Sequence, residues 1–268
     1  MIGSGEIGRA GPADRQSPLH EETAGPPANP DLSVVVLCYR SGGEARILAE
    51  RIRTVLLDAG IDDYQLVLVG NFLSGSDDPT PDIVRQLAAD DPRIVCSAVV
   101  KQGMMGWDMR SGLALATGKC LAVIDGDGQV LVEDLVRVYR LLIDQSLDLA
   151  KTYRTRRGDG IVRKLLSLVF NGLFHVLFPG LEVRDVNAKP KALTRSAYER
   201  LTLRSDDWFI DAEIMIQARR LGFRIGEVET TFLGLTGRPS FINLAAVAQF
   251  LRNLLLHRLR ELRRRDGR

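Results

Sequence analysis

From residue 32 onward, the sequence alternates between short apolar runs and segments with helical spacing. Residues 32–38 form a valine-rich run that predicts a buried strand, and residues 44–58 place apolar side chains at helical spacing before a glycine. Further strands are predicted at 65–69, 93–99, 120–124, 147–153 and 223–232, and further helices at 81–89, 106–116, 132–142, 161–178 and 211–221. This alternation predicts an α/β fold with a parallel sheet, in which ligands bind at the carboxyl ends of the strands.

The two ends of the chain differ in charge, although the formal charge over 268 residues is only +2. Residues 1–31 carry five acids against two arginines and five of the eleven prolines, which predicts a disordered leader. Residues 252–268 carry seven arginines against two acids. The neutral body between these ends argues against a nucleic-acid-binding protein. We divide the chain into a leader (1–31), an α/β domain (32–240) and a basic amphipathic C-terminal helix (241–268).

Composition also limits the chemistry and the location of the protein. Three cysteines without C-x-x-C spacing and three scattered histidines are too few for a zinc site or a serine–histidine triad. The longest uncharged stretch, residues 165–181, contains a proline and is shorter than the roughly 20 residues of a membrane span. With no signal peptide pattern, we expect a cytoplasmic protein that is at most peripheral on the inner face of the membrane.

The sharpest candidate site follows the fourth predicted strand and reads Asp125-Gly126-Asp127-Gly128-Gln129. Two carboxylates two residues apart in a glycine-rich turn can converge on one cation. Mg²⁺ and Mn²⁺ prefer such oxygen ligands and bridge phosphates. The alternative is an ordinary turn, because Asp and Gly are common in turns. The position at the carboxyl end of a strand favours a metal site for a nucleotide diphosphate.

This motif and four further segments, in the same order, resemble glycosyltransferase family 2, particularly its polyprenyl-phosphate branch, which includes dolichol-phosphate mannosyltransferase. The further segments are residues 34–39, 103–118, 154–167 and 208–228. The resemblance covers about residues 32–240. It implies a GT-A fold, which is Rossmann-like, with a mostly parallel sheet flanked by helices and, here, C-terminal amphipathic helices.

The resemblance implies an inverting transfer from a nucleoside-diphosphate sugar. Asp125 and Asp127, with Gln129 as a possible third ligand, would hold Mg²⁺ or Mn²⁺ on the donor diphosphate, and Asp127 would be catalytic. Contacts with the nucleotide are implied for Tyr39, Asn71, Asp125 and Arg110. Asn71 departs from the family pattern, which usually has an aspartate there, so the identity of the donor stays open.

The acceptor side is implied by an arginine-rich segment, because guanidinium groups match phosphate oxygens. The residues assigned to an acceptor phosphate are Arg154, Arg157, Arg163 and Ser167, and Arg156 is assigned a catalytic contact. The alternative for this segment is a solvated basic loop.

A lipid phosphate acceptor needs no strong base, whereas a hydroxyl acceptor does, and Asp211 and Glu213 are the candidates for that base. The structural alternatives are pairing with the helix N-terminus for Asp211 and a salt bridge at the edge of the core for Glu213. The sequence favours a polyprenyl-phosphate acceptor and leaves a saccharide or small-molecule hydroxyl as the alternative.

The basic C-terminal helix predicts contact with an anionic membrane surface. Its alternatives are packing on the α/β domain or on a second copy of the chain in a homo-oligomer. Two other classes of function remain open: a nucleotidyltransferase, and a membrane-associated partner protein without activity. The complete Asp125, Asp127 and Gln129 set argues against the inactive partner.

Overall fold

The computed structural model describes residues 28–157, 161–233, 249, 251–259 and 261, with the backbone alone at 156, 157, 161–167 and 232. The strands are β1 Leu32–Leu37, β2 Tyr64–Val69, β3 Ile94–Ser97, β4 Cys120–Asp125, β5 Leu149–Arg157, β6 Lys191–Thr194 and β7 Ile225–Phe232. The helices are α1 Glu44–Asp58, α2 Thr80–Asp90, α3 Met105–Leu115, α4 Glu133–Asp144, α5 Ile161–Leu177, α6 Arg195–Glu199 and α7 Ile210–Leu221. Residues 251–259, together with 249 and 261, are also helical and are called the C-terminal helix.

The seven strands form one sheet in the order β3-β2-β1-β4-β6-β5-β7. β1 pairs in parallel with β2 and β4, β2 with β3, and β5 with β7, whereas β6 is antiparallel to both β4 and β5. β5 therefore runs in the same direction as β4, and six strands end at the same edge of the sheet. The predicted α/β fold with a mostly parallel sheet is confirmed.

Two apolar cores cover the two faces of the sheet. Alternate residues of a strand point to opposite faces, so Val34 and Val36 of β1 join one core while Val35 and Leu37 join the other. The first core contains residues of α1, α2 and α4, and the second contains residues of α3, α5 and α7. All six helices predicted between residues 44 and 221 are present, with ends shifted by no more than two residues.

The C-terminal helix packs against the loop before α7 and against α7 itself. Leu254 is fully buried in the second core, and the rings of His257 and Phe209 lie 4.9 Å apart between centroids. Glu261 forms an ion pair with Arg219 of α7. Of the alternatives open from the sequence, packing on the α/β domain is therefore present in the structure.

Another side of the C-terminal helix is apolar and faces outward. Leu251, Leu255 and Leu259 follow each other at four-residue spacing and are 37%, 52% and 51% exposed. Among the described helices, none is long and apolar enough to span a membrane. Residues 1–27 of the predicted leader and the predicted boundary at residue 240 lie outside the described residues.

Candidate active site

The carboxyl edge of the sheet brings together residues from β1, β2, β4 and the start of β6. Tyr39 and Asn71 follow β1 and β2, and Asp125 ends β4. The antiparallel register pairs Val123 of β4 with Lys191 of β6. Two residues further on, the same register places Lys189 opposite Asp125. The residues that lead into the antiparallel strand β6 therefore place a lysine beside residues 125–129, which we call the acidic loop.

The acidic loop is fixed to the end of β1. The Gly126 N–H donates to the Leu37 carbonyl at 3.0 Å, and the Ser41 hydroxyl donates to the Gly126 carbonyl at 2.9 Å. A Cβ on Gly126 would lie 2.6 Å from the Leu37 carbonyl oxygen, so only glycine fits there. Gly128 has φ +74°, which also favours glycine. Close approach of the β1 backbone thus requires glycine at 126, and a positive φ favours glycine at 128.

The loop is also tied to the end of β7 through Gln129. Asp127 Oδ1 accepts the Gln129 N–H at 3.0 Å, which closes a local turn. The Gln129 carbonyl accepts the Leu233 N–H at 2.9 Å, and Gln129 Nε2 donates to the Leu233 carbonyl at 3.4 Å. The side-chain bond uses the nitrogen of the amide, so its oxygen is the atom that would ligate a metal.

The donor atoms of this loop fit a divalent cation that binds together with a substrate phosphate. In the described part of the chain, no group of three or more His, Cys, Asp or Glu side chains is placed to hold a metal by itself. Mg²⁺ is commonly bound by one or two carboxylates plus substrate phosphates. Asp125, which is 30% exposed at its side chain, and Asp127 supply such a pair. The predicted ligands are therefore suitable for a divalent cation, and substrate phosphate oxygens would complete its coordination.

Asp211 is buried between two lysines. Its Oδ1 lies 2.6 Å from Lys191 Nζ and its Oδ2 lies 3.0 Å from Lys189 Nζ. Burial alone would raise the pKa of Asp211, but the two ammonium groups outweigh it and hold that pKa below its usual value. Asp211 is thus an ionised counterion with weak basicity rather than a helix-terminus pair.

Lys189 also contacts Asp125, at 3.2 Å from its Oδ1 and 3.3 Å from its Oδ2. Burial would lower the pKa of Lys189, but the carboxylates of Asp125 and Asp211 raise it above its usual value. The ammonium is therefore fixed in its charged form between a predicted metal ligand and α7.

Glu213 faces different surroundings from Asp211, although both lie in the first turn of α7. Glu213 Oε2 accepts the N–H groups of Ser205 at 2.8 Å and Arg204 at 3.0 Å. Glu213 Oε1 accepts from Gln217 Nε2 at 3.4 Å. The carboxylate thus holds the backbone of the loop before α7, and the structure does not bring it together with Asp125 and Asp211. The described contacts of Glu213 are thus hydrogen bonds, and the salt bridge named as its alternative is not among them.

Asn71 is buried, and all its hydrogen-bonding capacity is used within the protein. Its Nδ2 donates to Asp108 Oδ1 and to the Ser111 hydroxyl, both at 3.0 Å. Its Oδ1 accepts from the Ser97 hydroxyl at 2.8 Å and from the Val99 N–H at 3.1 Å. Asn71 therefore joins the ends of β2 and β3 to α3. A direct bond to a nucleotide would require one of these bonds to break.

Tyr39 remains at the edge of the sheet as a partly exposed ring. Lys101 Nζ lies 3.9 Å from its ring centroid and also pairs with the buried Asp108. Burial raises the pKa of Asp108, and the neighbouring Lys101 and Asn71 oppose that effect. Arg110, in contrast, pairs with Asp206 in the loop before α7. Tyr39 therefore lies at the carboxyl edge of the sheet, where its nucleotide contact stays a prediction, and Arg110 is directed to a protein partner.

Arg154 is the one predicted phosphate-binding arginine whose side chain is described. It forms an ion pair with Asp185, in which Nε lies 2.6 Å from Oδ2 and Nη2 lies 2.9 Å from Oδ1. Arg156 and Arg157 pair through the backbone with Thr231 and Phe232 at the end of β7. Their side chains lie outside the described residues, as do those of Arg163 and Ser167 in α5. The end of β5 nevertheless lies at the same edge of the sheet as Asp125.

Three buried lysines, Lys151, Lys189 and Lys191, were not identified from the sequence. Lys151 Nζ lies 3.2 Å from Glu227 Oε1 and donates to the Thr152 carbonyl at 2.8 Å. Burial and the neighbouring Lys191 lower the pKa of Lys151 to about 8. Lysines are normally exposed. The sequence feature that could have revealed these buried lysines is their position within or beside apolar strands.

The mostly parallel sheet and the Asp-x-Asp loop at the end of β4 define a Rossmann-like fold of the GT-A class. The chain belongs to glycosyltransferase family 2, because the model of that family, described as Glycosyl transferase family 2, matches residues 33–209. The resemblance inferred from the five segments is therefore confirmed.

Two curated relatives are similar over most of this chain. Glycosyltransferase AglD from Haloferax volcanii is 28% identical over 210 residues, which are 75% of this chain and 32% of AglD. Dolichyl-phosphate beta-glucosyltransferase ALG5A from Trichomonas vaginalis is 22% identical over 259 residues, which are 90% of this chain and 78% of that protein. This chain thus spans about a third of AglD and most of ALG5A.

Solved structures share the fold. The glucosyl-3-phosphoglycerate synthase of Mycobacterium tuberculosis in complex with phosphoglyceric acid has a TM-score of 0.65 at 22% identity, covering 85% of this chain and 80% of that chain. The same enzyme in complex with Mn²⁺, UDP-glucose and phosphoglyceric acid has a TM-score of 0.62 at 22% identity, covering 85% and 79%. At this identity the likeness establishes the GT-A fold.

Proposed function

We propose that this chain is an inverting, metal-dependent glycosyltransferase that moves a sugar from a nucleoside-diphosphate sugar to a polyprenyl phosphate. The observation that carries this proposal is the state of the two candidate bases. Asp211 is neutralised by Lys189 and Lys191, and Glu213 is bonded to the backbone of the loop before α7. A phosphate acceptor is already ionised near neutral pH, so its oxygen can attack the sugar without a base.

On the donor side, Asp125, Asp127 and Gln129 would hold the metal, and Tyr39 would contact the nucleoside. When bound, Mg²⁺ or Mn²⁺ supplies Lewis-acid stabilisation of the diphosphate leaving group. The M. tuberculosis synthase of the same fold, solved with Mn²⁺ and UDP-glucose, supports a divalent metal and a nucleoside-diphosphate sugar as the bound species. Asn71 and Arg110 would act by fixing α3 and its neighbouring loops, since both are bonded to protein partners.

On the acceptor side, the arginines at the end of β5 would bind the phosphate. Arg154 is oriented by Asp185, and guanidinium groups bind phosphate oxygens through paired N–H donors. We assign Arg156, Arg157, Arg163 and Ser167 to the same phosphate because β5 and α5 continue from this edge. The name of the ALG5A relative, a dolichyl-phosphate beta-glucosyltransferase, supports a lipid phosphate.

A lipid acceptor lies in a membrane, and two helices present apolar side chains outward. They are Leu251, Leu255 and Leu259 on the C-terminal helix and Leu168, Val169 and Val176 on α5. Both helices also bury residues in the second core, so these outward side chains are held by the folded domain. We propose that this surface, with the arginines of the basic tail, rests on an anionic membrane.

Transfer assays with matched acceptors test this function. The purified chain is incubated with Mn²⁺, a UDP-, GDP- or dTDP-sugar, and either a polyprenyl phosphate or the polyprenol of the same length. We expect transfer to the phosphate alone, with inversion at the anomeric carbon. We expect Asp127→Asn to reduce the rate at least about 100-fold, whereas Asp77→Asn, at an exposed position, retains it.

The outcomes separate the alternatives. Transfer to the polyprenol or to a soluble sugar hydroxyl would replace the phosphate acceptor with a hydroxyl acceptor and would require a base. Absence of donor binding and hydrolysis with every nucleotide sugar would contradict the proposed activity itself.

A further inference from the structure

The charge of Lys189 is shared between two carboxylates, those of Asp125 and Asp211. Lys189 and Lys191 together bring two positive charges to the single carboxylate of Asp211. One positive charge therefore remains, and Lys189 places it within 3.3 Å of both oxygens of Asp125. Asp125 is thus already paired with a cationic side chain of the protein itself.

Lys189 cannot leave this position as a surface lysine would. Its side chain is 4% exposed and is fixed by Asp211 Oδ2 on one side and by Met105 Sδ at 3.6 Å on another. A second cation that approaches Asp125 therefore meets a fixed ammonium group, and repulsion between like charges is strong in a poorly solvated site. A donor diphosphate would bring negative charges that offset this repulsion.

We propose that Lys189 is an internal counterion of Asp125 that weakens metal binding in the absence of donor and thereby couples the metal to the nucleotide. This inference rests on the proposed nucleotide-sugar site. Lys189 is a positioning residue in this scheme, because it acts through Asp125. The coupling is reciprocal: if the nucleotide tightens metal binding, the metal tightens nucleotide binding by the same factor.

The chain offers a matched control in Lys191. Like Lys189, Lys191 is buried and paired with Asp211, but the described contacts of its ammonium group are with Asp211 and the Val186 carbonyl. Lys189→Met and Lys191→Met each leave Asp211 with one lysine, but only Lys189→Met also removes the partner of Asp125. Lys189→Arg keeps the charge near Asp125 and tests for rescue.

The test measures Mn²⁺ affinity of the full chain by electron paramagnetic resonance, without and with the nucleoside diphosphate that stabilises the protein in a thermal-shift panel. We expect Lys189→Met to bind Mn²⁺ without nucleotide at least about tenfold more tightly than the wild type. Lys191→Met should change this affinity less than about threefold, because the described contacts of Lys191 do not include Asp125 and the Coulomb interaction falls with distance. Lys189→Arg should remain close to the wild type. The nucleotide should tighten Mn²⁺ binding more in the wild type than in Lys189→Met.

Equal Mn²⁺ affinities of the wild type and Lys189→Met, or equal gains in the two Met variants, would overturn the inference. Mn²⁺ binding by the wild type that does not respond to the nucleotide would also overturn it, and this measurement needs no variant. Absence of Mn²⁺ binding in all forms would overturn it as well. If the affinities change as expected but no sugar is transferred, the proposed function fails while the role of Lys189 stands.

Discussion

Arg154 and Asp185 form a two-bond ion pair at the end of β5, with distances of 2.6 Å and 2.9 Å. Such a pair fixes the plane of the guanidinium group, so its orientation is set before a phosphate arrives. Lysine would preserve the charge but not the paired N–H donors. We therefore expect Arg154→Lys to raise the KM for polyprenyl phosphate about tenfold and to change kcat less. Steady-state kinetics with varied acceptor measure this.

The control for Arg154→Lys is Arg51→Lys. Arg51 also pairs with a carboxylate, that of Glu133, but both side chains are about half exposed and lie on α1 and α4. An equal change of KM in both variants would show that Arg154 has no special relation to the acceptor.

Asp211 is predicted to be a stability residue. Asp211→Asn leaves Lys189 and Lys191 without their shared buried counter-charge, and we expect the free energy of unfolding to fall by about 3–5 kcal/mol at pH 7. The lysines hold the pKa of Asp211 below its ordinary value of 3.8. Its contribution is therefore complete above that value and is lost as the pH falls through the lower, folded-state pKa.

Urea denaturation of the wild type and Asp211→Asn over a range of pH measures this dependence. The difference in unfolding free energy should be constant near neutral pH and should shrink in strong acid. A difference that grows on acidification would contradict the assigned ionisation of Asp211.

Glu213 should behave as a structural residue with no role as a base. Glu213→Gln retains an oxygen acceptor for the N–H groups of Arg204 and Ser205 but loses the negative charge. We expect the free energy of unfolding to fall by about 1–2 kcal/mol, while kcat stays within about threefold of the wild type. The profile of rate against pH is the decisive measurement, and loss of one ionisation from it would identify Glu213 as a base.

Asn71→Asp should destabilise the protein, although it creates the residue type usual in the family. The substitution replaces the Nδ2 donor with an oxygen that faces Asp108 Oδ1, at the 3.0 Å separation seen here. Two carboxylates so close raise the pKa of one of them, so the loss, about 1–3 kcal/mol at pH 7, should decrease as the pH falls. Thermal unfolding at pH 7 and pH 5 measures both effects.

The compensating variant combines Asn71→Asp with Asp108→Asn. It restores one amide and one carboxylate at the contact, so most of the stability should return. Failure to recover would show that another contact dominates: a bond of Asn71 to Ser97, Ser111 or Val99, or the buried ion pair of Asp108 with Lys101.

The outward leucines of the C-terminal helix should contribute to membrane binding without affecting the fold. We expect Leu251, Leu255 and Leu259 changed together to Ser to reduce flotation with anionic liposomes at least about fivefold. The control changes three comparably exposed apolar residues elsewhere to Ser: Ile47, Leu57 and Ile143. Equal flotation of the two triple variants would contradict a specific membrane surface.

The sequence was sufficient for features that arise from local periodicity or from the order of motifs. The limits of α1 were predicted at 44–58, and the Asp125 loop was placed at the end of a buried strand, because both depend on residues adjacent in the chain. The strand β6 was missed because its four residues include only two apolar ones, which lie between a lysine and a threonine. Since β6 carries the register that places Lys189 beside Asp125, the charge cluster could not be predicted either.

The direction of side chains was the second feature that the sequence could not predict. Asp211 and Glu213, two residues apart in the sequence, were both candidates for one role, the base that a hydroxyl acceptor requires. On a helix, residues two apart do not share a face, and the structure gives one of them lysines and the other backbone N–H groups. Asn71 likewise occupies the predicted position while its amide points into the protein.

Asp207 joins the loop before α7 to the C-terminal helix. Its Oδ1 accepts the Phe209 N–H at 2.8 Å, and its Oδ2 accepts from Gln249 at 2.9 Å and from Asn253 at 2.8 Å. Deleting the chain from residue 249 onward would therefore remove partners of the loop that starts α7 and uncover the site of Leu254. Such a truncation is a mutation of the catalytic domain itself, and lost activity after it would not measure the loss of a membrane anchor.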